Sequence, residues 1–534
     1  MTVATAPVLE QPPAPTPIQP LPNQHRPAWP VALGLVGLVA VSAALRIEGI
    51  KTWYWIDEAL SVGLARHGLT EIPSLLLRDG SPPLWYLLLH GWSALFGTSV
   101  VATHAMSLVF ALATVPVSWL VARRLFGERA AWLTASLAAI NPFVTYFAQE
   151  TRMYSLVVLL GLVVAGSFVE AFVDGNRRAA WVFTASLTAL LYTHNWGLYT
   201  GLACVLSLLP IAIAIESTER RTLVRRAAWC FGIVAVLYLP WVPALLSQVR
   251  NTGAPWSYTP TLRDVVRELA ALFRDERVLV VLALGTGLGL SPLVKRWRSR
   301  DALAVTVFVV LFAVPVVIGW GLAHVEPSWA TRYLAVIVGP MLLVVGLGLS
   351  RARGFGLAAL ALAAVLILQP VTRLHGLPLP RDAKSNARAV AEAAAPRLAP
   401  GDLVIVAQPE AVPLFRAELG PGLTYADPTG RIGDPTVMDW RRASDRLRAS
   451  TYAELLPLID RLHVGQRVLL VTPGNAIKRT DTPWVRLFRA AGKRSARALQ
   501  VDPRFALVDQ MTGDSSPYVT FDALIVERVT NQTS

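Results

Sequence analysis

Apolar stretches long enough to cross a bilayer recur along the first 371 residues of this chain. They fall near 29–47, 100–122, 130–148, 153–173, 179–194, 197–215, 227–247, 278–294, 302–323, 331–349 and 355–371. A helix needs about 20 predominantly apolar residues to span the hydrocarbon layer, and blocks of that length repeated this often predict a polytopic α-helical membrane protein with about eleven transmembrane helices. Composition agrees. Mean hydropathy is +0.48, and only 16% of residues are charged, against about a quarter in soluble globular proteins.

The formal charge of +14 is not a nucleic-acid footprint, because the arginines cluster in short loops between apolar blocks. Arg123, Arg124 and Arg129 follow the second block, Arg177 and Arg178 the fourth, and Arg220, Arg221, Arg225 and Arg226 the sixth. Lys295, Arg296, Arg298 and Arg300 follow the eighth, and Arg351 and Arg353 the tenth. Every alternate loop is basic and short, which places those loops in the cytoplasm. Cys204 and Cys230 both lie in apolar blocks, so neither a disulfide framework nor a zinc site is expected. Residues 1–28 are Pro-rich and nearly uncharged, the signature of a disordered cytoplasmic lead-in. The block that begins at Trp29 shows no cleavage pattern and is read as a retained span.

The segment Pro82 to Trp92 is apolar but short for a span, and counting it as a crossing would turn every basic loop outward. It is therefore expected to be an interfacial or re-entrant helix, which suits its Trp and Tyr content and the double proline at its start. With eleven spans the N-terminus is cytoplasmic, and the long loop 48–99 and the tail 372–534 are extracytoplasmic. The tail changes character: 402–406, 467–471 and 519–526 read as strands and 411–419 as a helix, predicting a small α/β domain with no Gly-rich phosphate loop. The expected division is thus 1–28, a transmembrane domain 29–371, and an extracytoplasmic α/β domain 372–534.

With spans so placed, the polar residues gather on one side. The first outside loop carries Asp57-Glu58 and then Asp79. The second carries Glu150 and Arg152, the third His194, and a later one Arg332 and Tyr333. Span centres hold almost no ionisable residues, whereas a proton-coupled transporter would carry them there. Carboxylates and arginines at an outer interface suit transfer of a sugar from a lipid phosphate. The acceptor hydroxyl needs a carboxylate base, and the departing phosphate needs positive charge. Asp57 is the natural base, Glu58 or Asp79 a supporter or metal ligand, and Arg332 or Arg152 the phosphate partner. Simpler readings stand beside these. The Asp-Glu pair suits a solvated loop, Arg332 can snorkel to the interface, His194 can satisfy a carbonyl, and Glu150 can pair with Arg152.

The order Trp55-x-Asp57-Glu58, Asp79-x-Ser81-Pro82-Pro83-Leu84-x-Tyr86, Gln149-Glu150-x-Arg152-x-Tyr154 and Arg332-Tyr333 resembles the GT-C glycosyltransferases. It is most similar to the bacterial relatives of protein O-mannosyltransferases and of the lipid A aminoarabinose transferase, over roughly residues 30–350. The resemblance implies a GT-C-type membrane domain with its catalytic first outside loop at 48–99, a polyprenyl-phosphate-linked sugar donor, an inverting transfer and an active site facing away from the cytoplasm. By match of motif, Asp57 is the catalytic carboxylate, with Glu58 and Asp79 beside it. Arg152, Glu150, His194, Arg332, Tyr333 and Tyr86 are then the donor-phosphate and substrate contacts. Ser81 stands where many relatives carry His. Members differ in metal use; a divalent ion is compatible with the pattern but not implied by it, and Asp57 and Asp79 would hold it.

The expectation is a plasma-membrane glycosyltransferase acting on an envelope glycan, lipid or protein, with membrane lipid and no nucleic acid as partners. High Ala, Val and Arg with few Lys fits a high-GC bacterium, for which mannose or arabinose on a polyprenyl phosphate is the expected donor. A transporter or flippase of a lipid-linked saccharide is the rival; it calls for paired repeats or broken helices at mid-membrane, and the sequence offers neither. A second rival is a non-catalytic scaffold working through its tail.

Overall fold

The computed structural model describes residues 29–373, 384–474, 482–513 and 519–530. The Pro-rich segment 1–28 lies outside the described residues. Helices occupy all eleven apolar blocks. Among the described residues, eight are long and apolar enough to cross a membrane: Trp29–Lys51, Val100–Phe126, Tyr154–Val173, Gly197–Ala214, Ser217–Asn251, Glu276–Val294, Arg300–Ala323 and Thr331–Arg351. The other three blocks differ for local reasons. The block at 130–148 divides into Glu128–Ile140 and Pro142–Phe147. Asn141 accepts the Val144 N–H at 3.0 Å and Pro142 sits at the first helical position, a helix start written into the middle of an apolar run. The block at 179–194 forms Arg177–Thr193, 17 residues long. The last forms Gly354–Arg373.

Thr331–Arg351 is the bundle's inner helix. Of its span 78% is enclosed by protein, against 11% for the peripheral Trp29–Lys51. Close packing requires glycine here: a Cβ on Gly339 would lie 2.3 Å from the Leu162 backbone nitrogen. The first long loop folds into three short helices, Ile56–Ala65, Ile72–Asp79 and Leu84–Phe96. The last has 13 residues and is roughly 20 Å long at 1.5 Å per residue, short of the ~30 Å hydrocarbon core. It buries Trp85, Tyr86 and Leu89 against the bundle.

The tail is an α/β domain around one six-stranded sheet. In chain order the strands are β1 (Leu403–Val406), β2 (Thr424–Asp427), β3 (Gly430–Arg431), β4 (Arg467–Pro473), β5 (Phe505–Met511) and β6 (Phe521–Arg528). They lie in the order β3-β2-β1-β4-β6-β5, with β2, β1 and β4 parallel and β6 antiparallel to β4. The strands read from sequence are β1, β4 and β6, and the helix at 411–419 is Val412–Leu419. β2, β3 and β5, which sequence did not mark, flank them.

The tail does not stand apart from the membrane domain. Tyr54, Ile56, Ala59, Leu60 and Val62 of the first loop share a core with Val404, Phe415, Trp440, Trp484 and Phe488 of the tail. Gly63 lets this contact close, since a Cβ there would lie 2.0 Å from the Thr436 carbonyl oxygen. Two backbone bonds, Trp440 N–H to Arg78 O at 2.8 Å and Arg442 N–H to Asn251 O at 2.9 Å, tie it to a second helix of that loop and to the end of Ser217–Asn251. The change of composition at 371/372 is therefore not a boundary in packing.

Candidate active site

Between the ends of the spans and the tail lies a cleft of about 480 Å³, lined among others by Asp57, Asp79, Arg152, His194, Arg332, Tyr333 and, from the tail, Trp440. Loops separated by as many as 275 residues in sequence thus meet at one end of the bundle. Asp57 stands in the first turn of Ile56–Ala65, where the helix dipole favours a carboxylate. Its Oδ2 lies 3.5 Å from Arg332 Nη2, so Arg332 does not simply snorkel. The Arg332 guanidinium carbon lies over the Trp256 ring, 4.3 Å from its centre, a cation–π contact. Arg152 flanks Asp57 from the other side, donating from Nη1 to Ser61 Oγ at 2.9 Å and to the Asp57 carbonyl at 3.2 Å. Glu150 and Arg152 form no ion pair with each other among the described residues.

Buried polar atoms left over mark what the cleft is for. Asp57 Oδ2, Arg152 Nε, Arg332 Nε, Asn195 Oδ1 and Gln248 Oε1 are enclosed and have no hydrogen-bond partner among the described residues. All five residues line the cleft. Leaving a buried polar atom unpaired costs about 1–3 kcal/mol, and such atoms are few in a native protein. Three of these five are acceptors and two are guanidinium donors, so the cleft wall offers both kinds of polar contact.

Asp79 accepts from the Tyr86 hydroxyl at 3.2 Å. Burial pushes its pKa above the ordinary carboxylate range, against the opposing pull of Ser81, Arg152 and Tyr86. His194 is pushed down to about 3 by burial and by the charges of Arg152 and Arg332, so it is neutral at physiological pH. Its Nδ1 accepts the Trp196 N–H at 3.1 Å, which leaves Nε2 as the protonated nitrogen and a hydrogen-bond donor. This is the satisfied role open to a lone His, combined with a place in the cleft wall beside Tyr333, 5.0 Å between ring centres.

Glu58 and Glu150 lie behind this wall. Glu58 is fully buried. It contacts His104 Nε2, accepts the Thr151 N–H at 2.8 Å and pairs with Lys384 Nζ of the tail at 3.1 Å. It also accepts the Trp55 N–H at 3.3 Å, capping its own helix. Burial alone would raise its pKa, but Lys384 and His104 outweigh it and hold the carboxyl below the usual range. Glu150 shares Lys384 less favourably. Burial pushes it up to about 7, Lys384 opposes that, and the charge of Glu58 adds to it. Sequence reasoning missed His104, Lys384, Trp256 and Trp440. A histidine inside an apolar block was a signal for His104; the other three carry no local mark.

The cleft does not gather a metal-ligand set. No group of three His, Cys, Asp or Glu side chains converges among the described residues. Of the three carboxylates on the cleft wall, Asp57, Asp79 and Glu326, Asp57 is ion-paired to Arg332, and Asp79 is held toward its protonated form.

Neither a protein-family model nor a curated protein matches the sequence. Solved structures do match in fold. ArnT from Cupriavidus metallidurans bound to undecaprenyl phosphate superposes with a TM-score of 0.58 at 15% identity, covering 95% of this chain and 99% of that one. The oligosaccharyltransferase AglB from Archaeoglobus fulgidus, in complex with an inhibitory peptide and a dolichol-phosphate, gives 0.54 at 12% identity over 90% and 73%. The arabinofuranosyltransferase AftD from Mycobacteria gives 0.51 at 13% identity, over 95% of this chain and 40% of that longer one. These likenesses extend through both the helical bundle and the tail, and the chain shares the membrane fold of these proteins.

Proposed function

We propose that this protein is a membrane glycosyltransferase that moves a sugar, mannose or arabinose, from a polyprenyl-phosphate donor to an envelope glycan, lipid or protein. The observation that carries this reading is Asp57 flanked by Arg332 and Arg152 in a cleft rich in unpaired polar atoms, at one end of an apolar bundle. The alternating arginine loops favour an extracytoplasmic face for that end. ArnT and AglB, of the same fold, hold undecaprenyl phosphate and dolichol-phosphate, which supports a lipid-phosphate donor here.

In this mechanism the donor's hydrocarbon chain stays in lipid and its phosphate enters beside the two guanidinium groups. Asp57 takes the proton of an acceptor hydroxyl as that oxygen bonds to the anomeric carbon. The bond from that carbon to the phosphate oxygen breaks, and its electron pair leaves on the polyprenyl phosphate. Arg152 and Arg332 stabilise the charge that develops there. Attack opposite the departing phosphate inverts the anomeric centre. Asp79, which holds its proton more tightly than an ordinary carboxyl, braces the cleft with Tyr86.

General-base groups contribute about 10²–10⁴-fold to rate. Asp57→Asn is therefore expected to lower transfer from decaprenyl-phosphate-linked mannose or arabinose by about that factor, in purified protein with unchanged membrane insertion. Wild-type turnover in that variant would sink the assignment.

A further inference from the structure

Of the titratable groups outside the catalytic cleft, the cluster behind it is the most enclosed. Glu58 and His104 are fully buried and Lys384 nearly so. Glu58 belongs to Ile56–Ala65, His104 to Val100–Phe126, Glu150 to the turn after Pro142–Phe147, and Lys384 to the tail. Tyr54 stands edge-on to His104, 5.7 Å between ring centres.

The charges in this cluster balance in one way. His104 Nδ1 faces the Ile50 carbonyl at 2.8 Å. A carbonyl only accepts, so Nδ1 carries a proton. Nε2 faces a Glu58 carboxylate oxygen, so a further proton lies between those two atoms. Two carboxyl groups, Glu58 and Glu150, are thus matched by that proton and by one ammonium, Lys384. Without Lys384 one buried negative charge is left over whenever Glu150 is ionised, and an uncompensated buried charge is among the costliest defects a fold can carry.

Lys384 also grips the turn that presents Arg152. Its Nζ donates to the Gln149 carbonyl at 2.5 Å and to both Glu58 oxygens, at 3.2 and 3.1 Å. Glu58 in turn holds the Thr151 N–H, one residue before Arg152. Ser107 closes the turn from behind, donating to the Glu150 carbonyl at 2.5 Å. Beyond the turn, the Arg152 guanidinium reaches Ser61 and the Asp57 carbonyl, on the same helix as Glu58. One tail side chain therefore fixes both the backbone that carries Arg152 and the helix that carries Asp57.

We propose that Lys384 is a positioning residue: by neutralising Glu58 and clamping the 149–152 turn it sets Arg152 for the donor phosphate, so that the tail governs donor binding without touching the donor. This rests on the lipid-phosphate reading of the cleft.

The test uses the full-length purified protein and two probes, decaprenyl phosphate and the uncharged alcohol decaprenol. Wild type should prefer the phosphate, and Arg332→Ala should lose most of that preference. Lys384→Met should weaken decaprenyl phosphate by about tenfold or more while leaving decaprenol unchanged. Lys384→Arg keeps the charge and should bind nearly as wild type does. Glu150→Gln combined with Lys384→Met removes the surplus negative charge and should recover most of the lost affinity. Lys384→Met with wild-type phosphate affinity overturns the proposal. So does equal weakening of both probes with no recovery in the other two variants, which marks a fold defect. If wild type itself shows no preference for the phosphate, the lipid-phosphate reading fails instead.

Discussion

Asp57 and Glu58 are adjacent in sequence, yet the structure sends them to different tasks. Successive residues on a helix point about 100° apart, so in Ile56–Ala65 only one of the two can face the cleft. Asp57 does, while Glu58 turns inward to His104 and Lys384. Among the residues marked in sequence that share the cleft with Asp57, Arg152, His194, Arg332 and Tyr333 were legible because each lies at the edge of an apolar block whose side the arginine pattern assigns. Glu58 and Glu150 sit in the same loops, and their inward rotation was not legible without the helix phase. At Arg332 the planar fork matters as well as the charge, because it sits over the Trp256 ring while it pairs with Asp57. Lys lacks that geometry. Arg332→Lys is expected to weaken decaprenyl phosphate binding by roughly tenfold, the scale of one charge-assisted hydrogen bond. Isothermal titration of the two proteins reads this directly, and unchanged affinity would show that point charge alone suffices.

Among the elements, the legible parts were those with a local cause. Leu84–Phe96 stops short because the apolar run is short. The tail strands β1, β4 and β6 are dense Val, Ile and Leu runs. The division of the third block at Asn141-Pro142 was equally local, although the apolar count concealed it. Close approaches were not legible, since a glycine in an apolar run looks the same whether it faces lipid or a neighbouring helix. Gly339, against Leu162, allows two of the most enclosed helices to touch. Gly339→Val forces them apart, and overpacking of this kind costs about 1–3 kcal/mol. The expected result is a lower melting temperature in detergent. Gly37, with nothing within 4 Å of a built Cβ, supplies the control, since Gly37→Val should melt as wild type does.

Over the whole molecule, stability should depend on pH through the buried acids. Glu150 is raised from 4.5 to about 7 in the folded protein, so the fold binds its proton more tightly than the unfolded chain does. That contribution is fully present below about 4.5 and is lost as pH rises through about 7. His194, lowered from 6.5 to about 3, acts in the opposite sense, but its window closes at about 6.5. Between pH 6.5 and 8 the Glu150 effect should therefore dominate. Melting temperature is expected to fall across that interval, and Glu150→Gln is expected to flatten the slope. A rise with pH in wild type, or an unchanged slope in the variant, would contradict the assignment.

The helix Ile56–Ala65 completes its core only against strands and helices of the tail. During synthesis that helix emerges early, and β6 (Phe521–Arg528) follows roughly half a minute to a minute and a half later at about 5–20 residues per second. Throughout that interval Tyr54, Ile56, Leu60 and Val62 have no tail to cover them, and Lys384 has not yet reached Glu58. The proposed base is made well before the tail that completes its setting. An intermediate that lacks the tail would therefore carry Asp57 on a helix with one face of its core still open.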